Sequence, residues 1–344
     1  MRRIAASLAA VLALLLALAA GGCGDDGAEP DAPDSGAQPA AGPDQLDLVL
    51  DFQPNAVHTG IYAAQQDGLF ADHGVDVEIQ APGASTDAPK LLRSGRADLA
   101  ILDIHDLAIA REQGIDLVGV AAIVQRPLAA VIAADREQVK TPADLVGKHV
   151  GVTGLPSDDA VLESVLEAGG LDLGDVEKTT IGFEAVPSLL AGKLDAATAF
   201  WNAEGVTLAG KLPTREFRVD DFGAPPYPEL VLATTPEKLD ADADGIAATV
   251  AAIGEGYDEV VADPEAGLDA LTAAVPELDR ESQRAQLEAV LPAFGDTRAF
   301  DPAVLREWAK WDAEHGIVEQ PPDIGKTFDF SIAGATAGVR DSSG

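Results

Sequence analysis

Asp51, Gln53, Asn55 and His58 stand close together after the apolar run Leu48-Val49-Leu50, and Glu204 stands just after the apolar run Leu194 to Phe200. Carboxylates, amides and an imidazole at strand ends can hydrogen-bond a small polar molecule from several directions. Phe52, Tyr62, Trp201 and Tyr227 are interleaved with them and offer flat apolar faces. Acceptors beside rings suit a small solute with a flat face and donor groups at its edge, and Glu204 can accept from such a donor. Each of these residues also has a structural reading. Trp201 can be core, Glu204 can cap a helix start, Asp51 can serve a turn, and His58 can begin a helix. Tyr227, in Ala-Pro-Pro-Tyr-Pro, can close over a cleft or stiffen a connection. Covalent chemistry is not suggested: the chain has no Gly-X-Ser-X-Gly elbow, no His-Glu-X-X-His and no Cys/His cluster at zinc spacing. No cofactor or metal is expected.

The polar segments need strands that end and helices that begin at the right places. After Tyr62 a helical stretch to about Gln66 gives way to the alternating strand Val75-Asp-Val-Glu-Ile79. Pro89 to Ser94 predicts a short helix stopped by Gly95, Ala97 to Leu102 a buried strand, His105 to Gln113 a helix stopped by Gly114, and Leu117 to Val124 another strand. The same order recurs as strand Lys148 to Val152, helix Ser157 to Ala168, strand Val176 to Ile181, helix Pro187 to Ala191 and strand Leu194 to Phe200. Leu91-Leu92-Arg-Ser-Gly95-Arg-Ala-Asp98 and Leu189-Leu190-Ala-Gly192-Lys-Leu-Asp195 are the same helix, glycine stop, basic residue and Asp before a buried strand, which predicts two related lobes. Ala129 to Ala133 and Glu229 to Ala233 read as strands where the chain crosses between them. The first lobe is therefore expected to comprise 46–126 plus 230–330, and the second 127–229. Helices near Ala243 to Ala262, Asp263 to Ala274, Arg280 to Leu291 and Pro302 to His315 would cover the first lobe. Gly83-Ala-Ser-Thr-Asp87 and Gly154-Leu-Pro-Ser-Asp158 each set Ser or Thr before a helix, either as ordinary caps or as backbone donors to a ligand.

The chain ends and composition bound where such a protein works. Arg2 and Arg3 precede an apolar run from Ile4 to about Ala20, and Cys23, the single cysteine, follows small residues. This predicts a secretory signal over 1–22 with lipid attachment at Cys23, although Ala20 stands where a lipoprotein box has Leu; an uncleaved signal anchor is the other reading. Residues 23–45 lack aliphatic periodicity and are expected to be a disordered tether, as are 331–344 at the other end. A lone cysteine excludes an internal disulfide, so the fold must hold by core burial. The 58 acidic residues against 23 Lys and Arg, a formal charge of -35, oppose nucleic-acid and anionic-lipid binding.

The order Asp51-Phe52, Pro54-Asn55, His58-Thr-Gly60 and Tyr62 resembles the first binding segment of ABC-importer solute-binding proteins for pyrimidine precursors of thiamine. Phe200-Trp201-Asn202-Ala203-Glu204-Gly205 resembles a second motif of that family. The resemblance implies an α/β fold, the two-lobed type II periplasmic binding protein, with a mixed sheet flanked by helices in each lobe and a cleft between them. It implies Asp51, Phe52, Asn55, His58, Tyr62, His105, Trp201, Glu204 and Tyr227 as ligand contacts, with Phe52 where relatives usually show Trp. It implies a permease and its ATPase as partners, a location outside the cytoplasmic membrane, and a monomer. Other flat heterocycles such as riboflavin, or a sulfonate or nitrate, are the alternative ligands. The pyrimidine-synthesising enzymes of the broader family carry a sacrificial histidine in a segment similar to Asp103-Ile-His105-Asp, but also a cysteine-rich stretch where Ala224 to Leu232 stand here. That implies a carrier and not an enzyme.

Overall fold

The computed structural model describes residues 44–82, 88–134, 138–295 and 298–333. The expected signal, Cys23, most of the tether and the Gly83 to Asp87 loop lie outside these residues. Among the described residues, ten strands form two five-stranded sheets. The first is ordered β2-β1-β3-β10-β4, from β1 (Asp44–Val49), β2 (Val75–Gln80), β3 (Leu99–Asp103), β4 (Val118–Val124) and β10 (Leu230–Thr234). The second is ordered β7-β6-β8-β5-β9, from β5 (Ala129–Ala133), β6 (His149–Val152), β7 (Glu177–Thr180), β8 (Ala196–Phe200) and β9 (Arg215–Arg218). In each sheet one strand runs antiparallel between two neighbours, β10 between β3 and β4, and β5 between β8 and β9. These are the two strands that the chain enters on crossing from the other sheet, so the duplicated pattern and the crossovers are one feature. Both sheets are mixed, and helices cover them.

Three stretches differ from expectation. β1 begins at Asp44, whose register partner is Val75, so the ladder extends into the expected tether. Ile332 and Ala333 are buried, inside the expected tail, because Asp329 accepts from the Ser331 and Ile332 amides and turns the chain back onto the core. β9 had no sequence signal: Arg-Glu-Phe-Arg buries only Phe217, as an edge strand can.

The loop that follows β1 is fixed from behind. Helix Thr59–Gln66 lies against helix Ala243–Ala262 so closely that a Cβ on Gly256 would stand 2.1 Å from the Gly60 carbonyl oxygen. Tyr257 donates its hydroxyl to the Val57 carbonyl at 2.6 Å. The glycine of the His-Thr-Gly motif thus serves packing, since its own Cβ would meet the Tyr257 ring. Gly256→Ala is expected to cost about 1–3 kcal/mol of stability by overpacking against backbone. Urea unfolding checks this, and an unchanged midpoint would mean that the helices separate freely.

Candidate functional site

The cavity lies between the lobes at the strand ends. From the first lobe, Asp51, Phe52 and Asn55 line it after β1, and Asp103, His105 and Asp106 line it where β3 passes into helix Ile104–Glu112. From the second lobe, Thr153, Leu155, Ser157 and Asp158 line it after β6, Gly182 and Phe183 after β7, and Phe200, Asn202 and Glu204 after β8. Glu229, at the second crossover, forms part of the floor. Open α/β sheets bind ligands at strand ends of this kind. Six carboxylates face the space, and among the described residues that line it none is Lys or Arg.

The first wall is built by local hydrogen bonding. Asn55 caps the turn Ala56–His58 by accepting from the Val57 amide at 3.0 Å, and the Asn55 amide donates to His58 Nδ1 at 3.1 Å. That bond leaves the ring proton on Nε2, which lies 2.8 Å from Asp51 Oδ1 and donates to it. His58 is fully buried and outside the cavity lining. Expected as a contact, it instead holds Asp51 in position, because its ring is consumed by the turn. Tyr62 also misses the lining: it packs into the core, where burial, and then Glu277, push its hydroxyl pKa up. The aromatic surface comes instead from Phe52 and Phe183, one from each lobe, with ring centroids 5.7 Å apart. Phe183 is 56% exposed and follows Gly182, whose φ of 57° turns the chain toward the opening. No sequence signal marked Phe183.

The second motif splits in the same way. Residues Trp201–Gly205 form a π-helical turn after β8, a distortion that often marks functional sites. Glu204 lines the cavity and accepts from the Phe200 amide at 3.2 Å, so it both closes the turn and faces the ligand space. Burial raises its pKa, against hydrogen bonds from backbone amides. Asn202 lines the cavity, is 1% exposed, and its Oδ1 has no donor among the described residues. Trp201 is turned away: it is buried, gives its indole N–H to the Pro127 carbonyl at 3.0 Å, and stacks under Arg218 at 4.0 Å. Its expected stacking face is therefore spent on the first crossover. The 154–158 loop contributes through Asp158, which accepts from the Thr153 amide and hydroxyl and ends up with a raised pKa because burial outweighs those bonds.

Behind the floor lies a buried ionic group. His105 Nδ1 stands 2.9 Å from Asp312 Oδ1 and 3.3 Å from Trp308 Nε1, and it donates its N–H to the nearer carboxylate. Burial alone lowers the His105 pKa, but Asp312, Asp103 and Glu229 outweigh it and raise it to about 10, so the ring is an imidazolium. Asp103 is pushed well above the usual carboxylate range by burial and by Glu229. Asp103, His105 and Glu229 bring ligand-type atoms within 4.8 Å of one another, a spacing that could hold a cation. Here a proton on Asp103, shared with Glu229, and the charge on His105 balance the group. The other Glu229 oxygen accepts from the Leu128 and Ala129 amides and ties the two crossovers together. Tyr227, expected at the cleft or the hinge, packs edge-on to His105 at 4.8 Å, outside the lining. It stiffens the crossover.

Residues 55–267 match the family described as NMT1/THI5 like. The chain belongs to that family. Among its NMT1/THI5-like relatives, the formylaminopyrimidine-binding protein of Halalkalibacterium halodurans is 32% identical over 286 residues, covering 80% of this chain and 87% of the relative. The 4-amino-5-hydroxymethyl-2-methylpyrimidine phosphate synthase THI13 of Saccharomyces cerevisiae is 23% identical over 280 residues, covering 78% of this chain and 81% of the enzyme. Among solved structures, the periplasmic aliphatic sulphonate binding protein SsuA from Escherichia coli shares the fold, with a TM-score of 0.69 and 18% identity, over 83% of this chain and 91% of its own. The two-lobed, mixed-sheet architecture of a periplasmic binding protein is thus established for this NMT1/THI5-like chain.

Proposed function

We propose that this chain is the extracytoplasmic solute-binding component of an ABC importer, anchored through Cys23, and that it captures an aminopyrimidine of the thiamine pathway by closing its lobes. The observation that carries this reading is the cavity wall: acceptors from both lobes, the Phe52 and Phe183 rings, and a described lining without Lys or Arg, whose imidazolium, His105, is paired with Asp312. Such a wall suits a flat donor-bearing ring and opposes a sulfonate or nitrate, which would enter a lining rich in carboxyl groups and without Lys or Arg among its described residues. The identity with a formylaminopyrimidine-binding protein supports the same ligand class. Asp51, Phe52, Asn55, His105 and Glu204 are the expected contacts that line the cavity, with Phe183 and Asn202 added. A carrier is favoured over a synthase by the higher identity with a formylaminopyrimidine-binding protein, 32%, than with a pyrimidine phosphate synthase, 23%. Binding would present the closed form to a permease and its ATPase.

Thermal unfolding of the purified full chain with a panel of aminopyrimidines, thiamine, riboflavin, taurine and nitrate tests this. A ligand at about 100 times its Kd adds ~2.7 kcal/mol, a shift of several degrees. A shift with an aminopyrimidine is the expected result. A shift with riboflavin alone would move the ligand to another heterocycle, and a shift with taurine or nitrate alone would overturn the electrostatic argument.

A further inference from the structure

The floor of the cavity is tied at the crossovers, and a pair of aromatic rings spans its opening. We propose that Phe52 and Phe183 are an interlobe latch, shut in the ligand-free chain, that sets the rates at which a solute enters and leaves. The latch rests on the carrier reading of the cavity, but its first test needs no solute.

Phe52 follows β1 in the first lobe, Phe183 follows β7 in the second, and both line the cavity. Their centroids stand 5.7 Å apart with the planes inclined at 44°. That lies inside the range of about 4.5–7 Å over which aromatic rings attract. A flat solute does not fit between them, because sliding a ring between two others needs a gap of about 7 Å, twice the ~3.5 Å of carbon contact. The two rings therefore make a roof. A solute lies beneath it, against Asp51, Asn202 and Glu204.

The surroundings of the rings make the independent case. Neither belongs to the two apolar cores of the molecule. Phe183 is 56% exposed, and among the described rings its partner is Phe52. A ring left in water at a loop tip gains by covering another. Gly182 aims it: its φ of 57° lies in the left-handed region, yet a Cβ there would meet nothing within 4 Å. The glycine thus serves the direction of the chain and not the space around it. Across the cavity, Glu229 ties the crossovers through the Leu128 and Ala129 amides. The crossovers stay joined when the lobes part, whereas the ring pair must separate.

A solute passes only while the lobes are apart, so the latch slows entry and exit alike. A side chain that touches only the bound solute slows exit and leaves entry unchanged. The two roles are therefore kinetically distinct.

Urea unfolding of the ligand-free full chain, Phe52→Leu, Phe183→Leu and the double variant closes a double-mutant cycle. The rings are expected to be coupled by about three- to tenfold in the unfolding equilibrium constant. Stopped-flow binding of formylaminopyrimidine then reads the latch. Phe183→Leu should raise the association and dissociation rates together, each by about three- to tenfold, and change the Kd by no more than about twofold. Phe183→Tyr, which keeps the ring, should restore the coupling and bring both rates back toward those of the native chain. Absence of coupling in the ligand-free cycle would overturn the latch. A rise in the dissociation rate alone would also overturn it and make Phe183 a ligand contact. Coupling without any binding of the pyrimidine would overturn that ligand and keep the latch.

Discussion

Trp201→Ala is expected to lower the stability of the ligand-free protein by about 3–5 kcal/mol and its unfolding midpoint by roughly 10 °C. The indole is among the largest fully buried side chains, its N–H serves the Pro127 carbonyl, and Arg218 lies on its face. Its amide also donates to the Leu128 carbonyl, so the residue binds the end of β8 to the first crossover. Truncation opens a cavity and strands the Pro127 carbonyl. Urea unfolding of the variant without ligand is the measurement. An unchanged midpoint with a large loss of ligand affinity would return Trp201 to the binding surface and require a different closed geometry.

Asp312→Asn is expected to cost about 3–5 kcal/mol at pH 6, because it leaves the buried imidazolium of His105 without its nearest carboxylate. The pH dependence has a definite sign. The folded pKa of His105 is raised from 6.5 to about 10, so its contribution is complete below about pH 6.5 and disappears as pH climbs through about 10. Asp103, Asp106 and Glu229, all raised by burial first, act in the same direction, since ionising them inside the fold costs more than outside. The native protein should therefore lose stability from mildly acidic to alkaline pH, and the gap between it and Asp312→Asn should close toward pH 10. Unfolding curves in urea at pH 6, 8 and 10 report it; a gap that stays constant would show that His105 is neutral in the fold.

Most of the sheet was legible because buried strands leave continuous apolar runs. Val118 to Val124 is buried at every position, and Ala129–Ala133 and Leu230–Thr234 mark the crossovers by the same signal. The site was legible in part. Asp51, Asn55 and Glu204 face the cavity because strand ends point there whatever the details. The sequence motifs do not separate the residues that face the ligand space from those that hold them: His58 and Asp51 share one motif, as do Trp201 and Glu204, and in each pair one supports while the other faces the space. Asp312 is distant in sequence from His105 and pairs with it only through the fold. Asp106, next to His105 in a segment already singled out, has its pKa raised by burial first and then by Asp103, with Asp51 and Asp158 adding from loops that no local pattern brings near.

The position of β10 has a consequence for how the chain is made. β10 completes the first sheet by inserting between β3 and β4, yet the whole second sheet is encoded between Val124 and Leu230. At ~5–20 residues per second, the long edges of β3 and β4 wait several seconds for their partner after they are synthesised. During that interval the apolar ladder Val118–Val124 is open to pairing with any other extended chain. The second lobe, contiguous and local, can close its sheet first, whereas the first sheet is complete only when its last strand arrives.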